Sequence, residues 1–108
     1  DVIYIPTDNT AASCTETING QIGDTPLIAG ESGICGGCGV ATLSIDYYDL
    51  GVATAKMAAK ILKGEAKIEE MRIEYAAKAT KKYNAEKCAQ LGIDVEALKA
   101  LGYVALGE

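Results

Sequence analysis

The sequence contains no histidine, no tryptophan and no phenylalanine, only two prolines, and no apolar run of the roughly 18 residues that a membrane-spanning helix requires. Without histidine the commonest general base and metal ligand is missing, which argues against an enzyme. Basic residues are also scarce: 10 Lys and Arg stand against 15 Asp and Glu, a net charge of −5. That balance disfavours a phosphate-binding surface, and with it nucleic acid as a partner. Four cysteines are too few for a disulfide scaffold and too scattered for a zinc ribbon. What is present, 49% hydrophobic and 23% charged residues over 108 positions, suits one domain with its own core. The chain opens at Asp1 inside an apolar run, with no initiator Met and no signal segment, and so reads as a piece of a longer protein.

The patterning predicts an α/β fold with a doubly wound, mostly parallel sheet. Val2 to Ile5 is continuously apolar, as a central strand covered on both faces would be, and Pro6 ends it. Ala11, Cys14, Ile18 and Ile22 form a helical stripe within Thr10 to Ile22. Pro26 to Ala29 reads as a second buried strand, closing one βαβ unit. Gly33 to Gly39 is rich enough in glycine to predict a loop, and Val40 to Ile45 a third strand. A long helix follows, capped by Asp46 and stopped by Gly64. Alternation over 71–76 predicts a strand with one wet face. Short helices should follow the caps Asn84 and Asp94, and Tyr103 to Leu106 is a strand or a tail.

Polar groups gather after three of these strands: Thr7, Asp8 and Asn9; Glu31 and Ser32; and Asp46. Parallel strands would bring all three loops to one rim, the carboxyl edge where open α/β sheets bind ligands. Two carboxylates among hydroxyls and amides suit a small ligand carrying an ammonium group or several hydroxyls. The plainer alternative is that Asp8 and Asp46 only cap helices and Glu31 faces solvent. Cys35 and Cys38 admit three readings, namely a local disulfide, a zinc site recruiting Cys14 and Cys88, or free thiols. A reactive CxxC would need a helix after it, whereas a strand follows here. Cys14 and Cys88 read as small core residues, Lys78, Lys81, Lys82 and Lys87 as a solvated basic stretch, and Tyr47 and Tyr48 as packing residues.

Several stretches together resemble a known family: Asp1 to Thr10 (DVIYIPTDNT), Gly39 to Gly51 (GVATLSIDYYDLG) and Lys56 to Gly64 (KMAAKILKG), continued by Glu74-Tyr75 and Lys81 to Asn84. They are similar to the extracytoplasmic solute-binding components of ABC transporters, and more narrowly to the type I periplasmic binding protein branch linked to tryptophan or tyrosine uptake. The resemblance implies two α/β lobes closing on a ligand, with this chain supplying much of the C-terminal lobe. It implies ligand contacts at Thr7, Asp8, Asn9, Thr10 and Glu31, an amino-acid ligand, an ABC permease as partner, and no metal, cofactor or catalysis. It also implies an extracytoplasmic location, with membrane attachment only through a lipid anchor on an N-terminal part. The insert Gly33 to Gly39 departs from the family's commoner loop. A ligand-sensing effector domain of a bacterial transcriptional regulator would share the fold and the rim. If Val2 to Ile5 lacks a partner on its far edge, the chain should self-associate there.

Overall fold

The computed structural model describes all of residues 1–108. In chain order the elements are β1 (Ile3–Ile5), α1 (Asn9–Ser13), α2 (Thr15–Ile22), β2 (Leu27–Ala29), α3 (Ser32–Cys38), β3 (Ala41–Ile45), α4 (Tyr47–Leu62), a 3₁₀ turn at Ile68–Glu70, β4 (Ala79–Tyr83), α5 (Ala85–Gln90), α6 (Val95–Ala100) and β5 (Val104–Ala105). They fall into two units, one of residues Asp1–Ser44 with Thr80–Glu108 and one of Ile45–Ala79.

The first unit is built on a five-stranded sheet in the order β1-β2-β3-β4-β5. β1, β2 and β3 run parallel, with Ile5 level with Ala29 and Ala29 level with Thr42. β4 and β5 are parallel to each other. At the join the direction reverses, because Val40 O accepts from Asn84 N at 2.9 Å while Ser44 O accepts from Thr80 Oγ1 at 3.1 Å. Helices cover both faces. Leu27 and Ala29 bury with Ile34, Cys35 and Cys38 of α3, flanked by Ile3, Ile5, Ala11, Ile18 and Ile22. A second cluster of Val40, Ala41, Tyr83 and Cys88 is flanked by Ile28 and by Leu91, Ile93, Val95 and Leu98 from the α5–α6 region.

Several sequence expectations are corrected. Among these residues β1 lies at one end of the sheet, and Tyr4 is 64% exposed. The helix over Thr10 to Ile22 breaks at Cys14 (φ −117°, ψ 18°), which throws the stripe out of phase and leaves Cys14 exposed while Ala11, Ile18 and Ile22 pack. Gly33 to Gly39 is helical over most of its length. Each glycine costs a helix about 1 kcal/mol, yet here burial of Ile34, Cys35 and Cys38 and a carboxylate cap from Glu31 offset it. The glycines also permit close approach: a Cβ on Gly37 would lie 2.3 Å from Thr15 Oγ1 of α2. Residues 71–76 form no strand, having no ladder partner, and the strand lies at Ala79–Tyr83 instead. Finally, Lys87 is not solvated; it is 8% exposed, with Nζ donating to Asn19 Oδ1 at 2.6 Å.

The second unit is α4 followed by the 3₁₀ turn and an extended segment. Asp46 Oδ1 accepts from Tyr48 N at 2.8 Å and Asp49 N at 3.2 Å, starting the helix as the capping pattern predicts. Tyr47 and Tyr48 are exposed rather than packed. Leu50, Ala53, Met57 and Ala59 are half-buried, and an open groove of about 610 Å³ within the unit runs past Val52, Met57, Lys60, Glu74 and Tyr75.

Candidate ligand site

The loops after β1 and β2 leave the sheet level with each other, about 4.8 Å apart as neighbouring strands are. They are joined directly. Gly30 N donates to Ile5 O at 2.7 Å, and Thr7 Oγ1 donates to Gly30 O at 3.2 Å. The approach is close enough to require glycine, since a Cβ on Gly30 would stand 2.7 Å from Thr7 N and 2.9 Å from the Pro6 carbonyl carbon. Two polar loops thus form one rigid ledge at the carboxyl edge of the sheet.

Asp8 caps α1, with Oδ1 accepting from Ala11 N at 2.7 Å, and its other oxygen has no partner within the chain. Asn9 and Thr10 open the helix and are exposed. Glu31 caps α3: Oε2 accepts from Gly33 N at 2.8 Å and Oε1 from Ile34 N. Asp8 is the cap that the plainer reading gave it, and Glu31, which that reading turned to solvent, is a cap as well. Each is a cap, and capping fixes its orientation on the ledge through charge-assisted bonds. The structure brings Thr7, Asp8, Asn9, Thr10 and Glu31 to one edge of the first unit, while Asp46 belongs to the second, as the cap of α4.

Two features of this edge escaped the sequence reading. Ser44, at the end of β3, is 6% exposed, and its hydroxyl lies 3.3 Å from that of Ser32. Two residues before it, Thr42 is 1% exposed with no hydrogen-bond partner for its hydroxyl. Such a group costs on the order of 1–3 kcal/mol relative to an apolar residue of the same shape. A serine and a threonine alternating with apolar residues in a buried strand were the available signal. The second feature is charge distribution, for the first basic residue of the chain is Lys56. The loops carrying Asp8 and Glu31 have no cation of their own.

The thiols are all free. Burial, followed by the nearby Cys88, Cys38 and Glu31, pushes the Cys35 thiol up to about 12. Burial likewise raises Cys88, and raises Cys38 against an opposing pull from Lys87. Neutral, buried thiols are poor nucleophiles. No group of three or more Cys, Asp and Glu side chains is placed to hold a metal ion.

Residues 1–101 match the family model described as ABC transporter substrate binding protein. A tyrosine-binding protein from Clostridioides difficile (strain R20291) is 32% identical over 68 residues, 61% of this chain and 20% of its own length. Among solved structures, the ABC domain in complex with L-Trp from Streptococcus pneumonia superposes with a TM-score of 0.79 at 32% identity, over 98% of this chain and 37% of that one. A ligand-free, open substrate binding protein with adhesive properties from Clostridium difficile superposes with a TM-score of 0.74 at 30% identity, over 96% of this chain and 36% of that one. The chain thus spans little more than a third of the length of these structures.

Proposed function

Given that this chain belongs to the ABC transporter substrate binding protein family, we propose that it forms part of one lobe of a two-lobe protein that binds an aromatic amino acid for delivery to an ABC permease. The observation that carries the reading is the ledge: two oriented carboxylates, Asp8 and Glu31, on loops joined through Gly30, with no lysine or arginine before Lys56. An ammonium group complements that arrangement. Asp8 keeps one oxygen free to receive it, and Glu31 supplies a second negative charge. Thr7, Asn9 and Thr10 add hydrogen-bonding capacity around the same point. A tyrosine-binding relative and an L-Trp complex among the similar structures support an aromatic side chain on the ligand. Binding needs no covalent chemistry, so the protein is a carrier and not an enzyme. Its place of work is extracytoplasmic, with a lipid anchor elsewhere in the longer protein.

A cleft ligand draws contacts from two lobes, so these 108 residues bind it weakly, with a dissociation constant of about 1 mM, near −4 kcal/mol. Titration of the chain with L-tryptophan, followed by ¹H–¹⁵N NMR spectra, should shift the amides of residues 7–10 and 31–33. Asp8→Asn should abolish those shifts while N-acetyl-tryptophan, which has no ammonium, produces none. Unchanged binding of N-acetyl-tryptophan would refute the reading. The outer edge of β1, with Val2 and Tyr4 exposed, is where two copies of the chain would pair.

A further inference from the structure

An amino acid has two charged ends, and the ledge supplies partners for only one of them. With no lysine or arginine before Lys56, any donor that these loops offer its carboxylate is neutral. Thr7 has committed its hydroxyl proton to Gly30 O. Asn9 and Thr10 carry donors, but both are exposed and neither side chain is held by a partner. Ser32 differs from all of these. It follows the Glu31 cap directly, is half-buried, and its oxygen lies 3.3 Å from the hydroxyl of Ser44. Ser44 is enclosed at the end of β3, and Ser32 is the one partner its hydroxyl has. Either hydroxyl can donate across this pair, and the arrangement that serves a ligand is the one in which Ser44 donates to Ser32. The proton of Ser32 is then free, and the bond from behind orients it.

We infer that Ser32, oriented by Ser44, is a ligand-contacting donor that receives the carboxylate of the bound amino acid. The inference rests on the reading of the ledge as an amino-acid site. Ser44 is a positioning residue, acting through Ser32. Packing does not explain this row of hydroxyls: Thr42, one step earlier on the same face of β3, is buried with its hydroxyl unpaired, a polar surplus that a hydrophobic strand would not carry for stability. Donors locked in place before binding lose less freedom when the ligand arrives than the mobile side chains of Asn9 and Thr10 would.

The test compares L-tryptophan with tryptamine, the same molecule without its carboxylate, by NMR titration of the 108-residue chain. Ser32→Ala should weaken L-tryptophan about tenfold, the loss of one hydrogen bond to a charged group, and leave tryptamine within about twofold. Ser44→Ala should weaken L-tryptophan by about threefold, and Ser32→Thr, which keeps a hydroxyl, should restore most of the affinity. Equal losses for both ligands, or none for either, would overturn the role of Ser32 while leaving the ammonium site standing. If neither ligand shifts residues 7–10 even at millimolar concentration, the amino-acid site and this inference fall together. Urea midpoints of the variants within about 0.3 M of the parent exclude a general loss of folding.

Discussion

Replacing Gly30 by alanine tests the contact on which the ledge depends. The added methyl carbon would sit 2.7 Å from Thr7 N and 2.9 Å from Pro6 Cα and carbonyl carbon, all backbone atoms that no rotamer change can move aside. Relief requires the β1–α1 loop to retreat from the β2–α3 loop. That retreat stretches the 2.7 Å bond from Gly30 N to Ile5 O and the 3.2 Å bond from Thr7 Oγ1 to Gly30 O. Overpacking costs about 1–3 kcal/mol, and each weakened hydrogen bond about 1 kcal/mol. Stiffening of the unfolded chain by alanine returns about 0.4–1 kcal/mol. The net is a loss of about 2–4 kcal/mol, a large share of the 5–15 kcal/mol typical of a domain. Urea unfolding followed by far-ultraviolet circular dichroism should show the midpoint falling by roughly 1.3–2.7 M at a slope near 1.5 kcal/mol/M. Gly20→Ala is the matched control, because its Cβ meets nothing within 4 Å, and it should gain roughly 0.5–1 kcal/mol from helix propensity. A Gly30→Ala chain as stable as its parent would show that the loops do not touch as described, and the ledge would lose its rigidity as an argument.

Thr42→Val removes a buried hydroxyl without a partner and should raise stability by about 1 kcal/mol, seen as a melting temperature about 4–8 °C higher; a lower one would reveal a partner for the hydroxyl. An aromatic disulfide reagent at pH 8 should label Cys14 within minutes and spare Cys35, Cys38 and Cys88 until the chain unfolds, so rapid labelling of more than one thiol would contradict their burial. Because folded Cys35 holds its proton up to about pH 12 against an ordinary value of 9.0, its contribution to stability is constant below pH 9 and falls as the pH rises toward 12. Cys35→Ala should flatten that alkaline decline. Tyr4→Lys should weaken self-association measured by sedimentation at about 100 μM, far above the micromolar range of ordinary specific complexes; a parent chain that is monomeric there would dismiss pairing through β1.

Where local signals and tertiary packing agreed, the sequence was readable. Asp46, Asn84 and Asp94 each cap the helix that their position implies, and Asp8 and Glu31 stand on the predicted edge. The failures have one physical source, in that the deciding partner lay far along the chain. The glycines at 33–37 signal a loop until Thr15 and Asn84 are in view, the latter donating to the carbonyls of Cys35 and Gly36 at 3.1 Å. Met71 to Tyr75 alternates as a strand should, but strand formation needs a neighbour, and the ladder was taken by Ala79–Tyr83. Ser44 was hidden for the same reason, since its meaning comes from Ser32, twelve residues earlier.

The reversal between β3 and β4 makes the second unit an insertion in engineering terms. Ser44 and Thr80 are hydrogen-bonded neighbours on antiparallel strands, although the polypeptide between them runs through α4 and the 3₁₀ turn. Closing a connection of roughly 35 residues costs about 1.9 kcal/mol more than closing one of about four. A two-residue Asn-Gly turn spliced between β3 and β4 would therefore join them as an ordinary hairpin. The ledge, the Ser32–Ser44 pair and both buried clusters would remain in a minimal scaffold, and residues 45–79 would become a cassette open to exchange.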